Sequence, residues 1–188
     1  MGMHTMQKIN LKYSAWALGR VDPGRRILVL DQGCALQISG KDINKLFGLP
    51  FVGNPVSPIC ASLSDACLEY TRLASELSKR GTHSLKAAET ILMKDINESS
   101  SQIETDCFKI AYVIFTVGHL LCPSTKHDYT SVDYWGALND PAKLAEFNWA
   151  EFVLEHLMDA VRKLKADMIT RHSAIHLVGC HLFLQVII

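Results

Sequence analysis

Residues 148–168 read NWAEFVLEHLMDAVRKLKADM, and this stretch decides the fold class. Trp149, Val153, Leu157, Val161 and Leu164 recur at the three- and four-residue spacing of a helix with one apolar stripe. Asn148 stands where a cap belongs, because its side-chain oxygen can accept a free N–H of the first helical turn. Glu151, Glu155 and Asp159 line another face and read as solvated. A helix with one apolar side needs apolar partners, and the rest of the chain supplies them.

Residues 103–121 are hydrophobic nearly all round (Phe108, Ile110, Tyr112, Ile114, Phe115, Val117, Leu120), which predicts a helix at the centre of a bundle. Cys122-Pro123-Ser124 ends it. Residues 64–80 read as an amphipathic helix with Leu68, Leu73 and Leu77 near helical spacing and Gly81 as its stop. Residues 84–94 read as another, with Leu85, Ala88, Ile91 and Leu92 inward, and the polar run 97–101 breaks the pattern. Asp140-Pro141 can start a short helix, with proline at the first helical position. The apolar end, 175–188, fits helix or buried strand by periodicity, and helix is favoured.

Nearer the start, Ile9, Tyr13, Trp16 and Ala17 mark a helix over 9–20. Asp22-Pro23-Gly24 follows as a turn. Residues 26–30 and 35–38 read as two strands around Asp31-Gln32-Gly33, a hairpin. Ser39 caps a short helix over 41–47, which ends at Gly48 before Pro50. Residues 51–63, with Gly53, Pro55 and Pro58, form a connector. The expectation is a mainly α fold, a helical bundle-like domain with one small N-terminal β-hairpin. Its parts are 1–56 (helix, hairpin, short helix), 57–101 (variable helical connector) and 102–188 (core helices forming one domain with the N-terminal part).

The 19 Lys and Arg balance the 19 Asp and Glu. That balance argues against bulk DNA or an anionic membrane as an electrostatic partner, while leaving room for a local basic patch. It also narrows the solubility margin. The six cysteines form no CxxC pair, and the N-terminus lacks the apolar run and cleavage site of a secretory signal. Reduced thiols inside the cell, nuclear or cytoplasmic, are expected. The apolar runs 110–122 and 177–188 are shorter than the roughly 20 residues that cross a bilayer, so no membrane partner is expected.

Four residue groups carry side chains suited to chemistry. His172, His176, Cys180 and His181 spell H-x3-H-x3-C-H. On one helix His172, His176 and Cys180 share a face, and imidazole with thiolate suits zinc. Yet metal ligands normally come from more than one element and no HExxH glutamate is present, so the expectation is core-edge histidines, with no metal and no cofactor. Asp106-Cys107, with Gln102 upstream, has no base and sits inside a core helix, so no nucleophile is expected there. His127-Asp128, beside Lys126 and Tyr129, are adjacent residues that seldom face one substrate. Arg162-Lys163-Leu164-Lys165 reads as a solvated helix end, favourable to the helix dipole. No glycine-rich phosphate cradle is present.

The ordered set of segments resembles the plant transposon-associated "aminotransferase-like, plant mobile domain" type, in its grass branch related to ubiquitin-like-protein-specific protease fusions. One block is 14–56, with Trp16, Arg20-Val21-Asp22, Leu36-Gln37-Ile38-Ser39 and Lys41-Asp42-Ile43-Asn44-Lys45-Leu46-Phe47-Gly48-Leu49-Pro50. The other is 108–185, with Gly118-His119-Leu120-Leu121-Cys122-Pro123-Ser124, Asp133-Tyr134-Trp135-Gly136-Ala137-Leu138, Phe147-Asn148-Trp149 and Gly179-Cys180-His181-Leu182-Phe183-Leu184-Gln185. The resemblance implies no aminotransferase chemistry, since no Schiff-base lysine stands in a phosphate-binding context, and it carries no catalytic residues. It implies a chain that continues past 185 in relatives, so a truncated copy is expected here. Trp16, Asp42, Phe47, Gly48, Pro50, Gly118, Trp135 and Trp149 are then structural anchors, stops and turns. The expected function is a non-catalytic, mobile-element-derived domain with a protein partner. The alternatives are a nucleic-acid-associated module of a transposase-like ancestor and an accessory fragment of a ubiquitin-like-protein-specific cysteine protease.

Overall fold

The computed structural model describes residues 11–31, 33–58, 62–170 and 177–187. Its fold is mainly helical with a small antiparallel sheet near the N-terminus. Helix α1 (Leu11–Arg20) leads into β1 (Val21–Asp22), β2 (Ile27–Asp31) and β3 (Cys34–Gln37), ordered β1-β2-β3. The hairpin β2-β3 stands where sequence places it. Strand β1 is new: at two residues it is too short for any alternation to register.

Helix α2 (Gly40–Phe47) starts with Asp42 reaching back to its cap, where the Ser39 N–H and hydroxyl donate to the Asp42 carboxylate at 3.0 and 2.7 Å. It ends at Gly48, whose φ of 70° only glycine adopts at little cost. Helices α3 (Asp65–Leu77), α4 (Leu85–Leu92) and α5 (Gln102–Thr116) pack on one another. Helix α6 (Trp135–Leu138) is a single turn, and α7 (Trp149–Ile169) is the long helix read first from sequence. Asn148 caps α7 by accepting the Glu151 N–H at 3.0 Å, and all five stripe residues are buried. Helix α8 (His181–Ile187) packs on α1, where the Gln185 amide donates to the Ser14 hydroxyl at 2.9 Å.

Five expectations are corrected. The all-apolar helix 103–121 is not central: Ile103 and Tyr112 of α5 face solvent, while α7 has nine buried positions. Past Thr116 it widens into a π-turn (Val117–Leu121), in which the Cys122 N–H reaches the Val117 carbonyl at 2.7 Å. Helix α3 buries Cys67, Tyr70 and Ala74 rather than Leu68 and Leu77, which are exposed, and it stops at Leu77, short of Gly81. Asp140-Pro141 makes a turn followed by one 3-10 turn (Leu144–Glu146) in place of a helix. Residues 177–180 are not helical, so the last helix begins at His181.

The fifth correction concerns the carboxylates of α7. Arg26 lies in the β1-β2 turn at φ 55°, one residue before β2 and not inside the strand. From there its guanidinium donates to Glu151 at 2.7 Å and to Glu155. The carboxylate face is therefore half covered by the hairpin instead of being freely solvated. One hydrophobic cluster runs from Ala17 and Leu28 through Tyr70, Ile110, Tyr134 and Leu157 to Phe183.

Candidate functional site

Residues 122–148 join α5 to α7 and stitch together two helix groups, α3 with α4 and α5, and α7 with α1, α2 and α8. The Gly136 N–H donates to the Ser57 carbonyl at 2.9 Å, and the Ser64 N–H to the Asn139 side chain at 2.7 Å. Tyr134 points its ring at Trp149 and Phe152, with centroids 6.0 and 5.6 Å apart in edge-on geometry. The Trp149 indole N–H donates to the Leu144 carbonyl at 2.7 Å. Phe152 then meets His156 one turn along α7, with centroids 4.2 Å apart.

Two depressions flank this seam. The first is a cavity of about 250 Å³ with Val117, Cys122, Pro123, Tyr134, Phe152 and His156 among its walls. The second is a wider groove of about 680 Å³, lined by Arg80, Lys86, His119, Lys126 and His127, with Glu89 and Asp128 beside them. Pro123 and Ser124 belong to both. The wall between them is the stretch 118–124 that sequence singled out. Gly118 is required there by packing, since a Cβ would run into the Leu85 side chain and lie 3.0 Å from Thr130 Cβ.

The chemistry-bearing residues fall as follows. Asp128 and His127 form no acid–base pair. The Asp128 carboxylate accepts the Ser84 hydroxyl at 2.9 Å and the Lys86 N–H at 2.7 Å, so it finishes the N-terminus of α4. The Cys107 thiol contacts the Ala66 carbonyl at 3.6 Å, and burial pushes it up to about 11. Burial likewise raises Cys122, and raises Cys180 to about 11. Such thiols stay protonated at neutral pH, whereas a nucleophile must be a thiolate. Cys180 is buried just before α8; His172 and His176 lie outside the described residues, and non-helical residues 177–180 interrupt the face that would have joined all three. Among the described residues no group of three His, Cys, Asp or Glu side chains could hold a metal.

Arg162 is paired with Asp159 at 2.5 Å, so the basic run of α7 offers less free charge than its composition suggests. Trp16 is no buried anchor: it is 41% exposed, stacked on Tyr13 and covered by Arg20 at 4.6 Å. Sequence reading missed His156, Phe152 and Tyr134 as a group. Phe152 and His156 are four apart on α7, a signal of shared face, but nothing in the sequence brings Tyr134 to them.

Burial works to raise the Asp128 carboxyl, but the Lys86 N–H and Ser84 hydroxyl outweigh it and hold the group below its ordinary value. A depressed carboxylate contributes stability that is complete above the unfolded value of about 3.9 and lost as pH falls through the folded value. Asp128→Asn should therefore cost about 1 kcal/mol at neutral pH, and the gap to wild type should close on acidification below about pH 4. Urea titrations of both proteins across that range check it; a gap that persists at low pH would assign the loss to something other than charge.

Fold and site together define a mainly helical domain whose two halves meet at a seam bearing an apolar cavity on one side and a basic groove on the other. The chain belongs to the family described as a domain of unknown function (DUF8566), whose model matches residues 1–185. Comparison with curated proteins and with solved structures finds no match.

Proposed function

We propose that this chain is a non-catalytic protein-interaction domain of mobile-element origin, acting in the nucleus or cytoplasm, with its contact surface between α3 and α5. The observation that carries this reading is one open groove of about 570 Å³. Leu68 and Ile103, 52% and 44% exposed, line it together with Asp65, Glu69 and Glu104. Exposed apolar side chains with a carboxylate rim suit a basic amphipathic segment of a partner protein. The mobile-element origin rests on the resemblance of the two sequence blocks. An intracellular setting accords with the unpaired thiols of Cys34, Cys107, Cys122 and Cys180. Among the described residues no helix is long and apolar enough to cross a membrane.

The basic groove favours a second reading, a nucleic-acid-associated module. Arg80, Lys86 and Lys126 would meet phosphates there, although Glu89 and Asp128 oppose them. Fluorescence anisotropy with a labelled basic amphipathic peptide and a labelled DNA duplex at low salt separates the two. The peptide should bind, and a Leu68→Glu, Ile103→Glu double variant should weaken it at least about tenfold with an unchanged melt. DNA binding abolished by Arg80→Glu with Lys126→Glu would favour the nucleic-acid reading instead. Cleavage of a ubiquitin-like precursor by this chain would overturn the non-catalytic one.

A further inference from the structure

Helix α8 is only seven residues long, and packing holds it in place. Phe183 and Leu184 are buried, and the Gln185 amide reaches Ser14 of α1, which is itself fully buried. The chain enters α8 through the non-helical residues 177–180, where Gly179 serves as a pivot. Gly179 has φ 89°, a conformation that suits glycine, and a Cβ there would stand 3.1 Å from the Ala160 Cβ of α7. One side of the pivot is thus pinned to α7, while α8 on the other side rests on α1.

The first residue of α8 is His181, 7% exposed, with its Nδ1 buried and without a hydrogen-bond partner. Such an imidazole is tolerable while neutral. As imidazolium it would bury a charge, leave an Nδ1–H donor unsatisfied and lie at the positive end of a helix. Burial pulls the ring below its ordinary value, and the Leu177 carbonyl, which acts the other way, does not offset it. Among the described residues no charged side chain compensates the ring. On α1, Lys12 is exposed, Tyr13 stacks on Trp16, and Arg20 covers Trp16 and donates to the Leu30 carbonyl. On α7, His156 is bonded to the Phe152 carbonyl, Asp159 pairs with Arg162 at the surface, and Lys163 is exposed. The neighbouring Cys180 thiol, like Cys122, is kept protonated by burial.

We infer that His181 makes α8 an acid-sensitive latch, docked on α1 while the ring is neutral and released when the ring takes up a proton. Release carries the imidazolium into water and uncovers Ser14, Phe183 and Leu184. Above the solvated histidine value of about 6.5 neither form holds the proton, and the latch has its full strength. Below it, the released form binds a proton that the docked form resists, so the docked population falls as pH falls.

Hydrogen exchange of the full-length chain at about pH 7.5 and about pH 5.5, corrected for the intrinsic exchange rate, reads the opening of α8 against that of α3 and α4. Between the two conditions a solvated histidine passes from mostly neutral to mostly charged, so α8 opening should rise severalfold, by up to about tenfold. Peptides from α3 and α4 should change by less than about twofold. His181→Met fills similar space with a side chain that takes no proton, and its α8 should open equally at both pH values. The wild-type His181 imidazole, followed by NMR, should titrate across the range in which α8 opens, a readout that does not depend on the variant folding. An α8 that opens no faster in acid overturns the latch. So does a rise shared equally by α3 and α4, which would be global unfolding. A pH dependence that survives in His181→Met, or a His181 ring that does not titrate with the opening, overturns it as well.

Discussion

Leu157→Ala is expected to lower the unfolding free energy by about 2–5 kcal/mol, the range for deleting a buried leucine and leaving a cavity. Leu157 is fully buried, mid-way along α7 and within the single core cluster. Its Cδ1 stands 3.4 Å from the Cβ position of Gly179, so the chain entering α8 rests directly on it. With a tight neighbour on that side, the site has little freedom to collapse into the space left behind. Leu68→Ala is the contrasting case. Leu68 is 52% exposed on α3, and its loss should stay within about 0.5 kcal/mol. Chemical denaturation of both variants checks the pair. Similar losses at the two positions would mean that α3 presents its leucines, and not Cys67, Tyr70 and Ala74, to the core.

Gly53→Ala should be at least as damaging, for a reason that lies in the backbone. Gly53 sits at φ 126°, a conformation that side chains rarely adopt, and a Cβ there would land on the Glu146 carbonyl oxygen. The conformational cost is about 1–3 kcal/mol, and the forced displacement adds a further loss of about 1–3 kcal/mol. What would be displaced matters to the fold. The Asn54 N–H donates to that same Glu146 carbonyl at 2.8 Å, and the Asn148 N–H donates to the Asn54 carbonyl at 2.8 Å. This short parallel bridge between Asn54 and Phe147 holds Asn148, the cap of α7, in place. Gly33→Ala isolates the conformational part, because Gly33 has φ 90° with nothing within 4 Å of its Cβ position. Its destabilisation, read in the same titration, should be clearly smaller. Equal losses at the two glycines would show that the contact with Glu146 contributes nothing.

Much of the candidate site was legible as pieces. The stretch 118–124 stands out through the family resemblance, with Gly118 as one of its structural residues, but the space at Gly118 is set by Leu85 and Thr130, residues of other segments. Asp128 reads as an ordinary loop residue beside His127, and its partners Ser84 and the Lys86 N–H show it to be a capping group. Phe152 and His156 are visible as helical neighbours. Their facing Tyr134 is not, because a residue in an irregular segment has no period from which its direction can be read.

By itself the sequence determined the features that arise from neighbours along the chain. Asn148, Ser39 with Asp42, and Gly48 set helix ends through bonds to N–H groups or dihedrals within a few residues. The α7 stripe has a strong enough period to name its own buried face. Only the tertiary structure decided which apolar residues of α3 and α5 are inside, because both helices carry more apolar side chains than one face can hold. There, packing chose Cys67, Tyr70 and Ala74 over Leu68 and Leu77, and left Ile103 and Tyr112 in solvent. It likewise brought Arg26 to Glu151 and Glu155, across more than a hundred residues of chain, and Tyr134 to Phe152. Local rules act through the backbone over one or two helical turns, while burial depends on which surfaces meet.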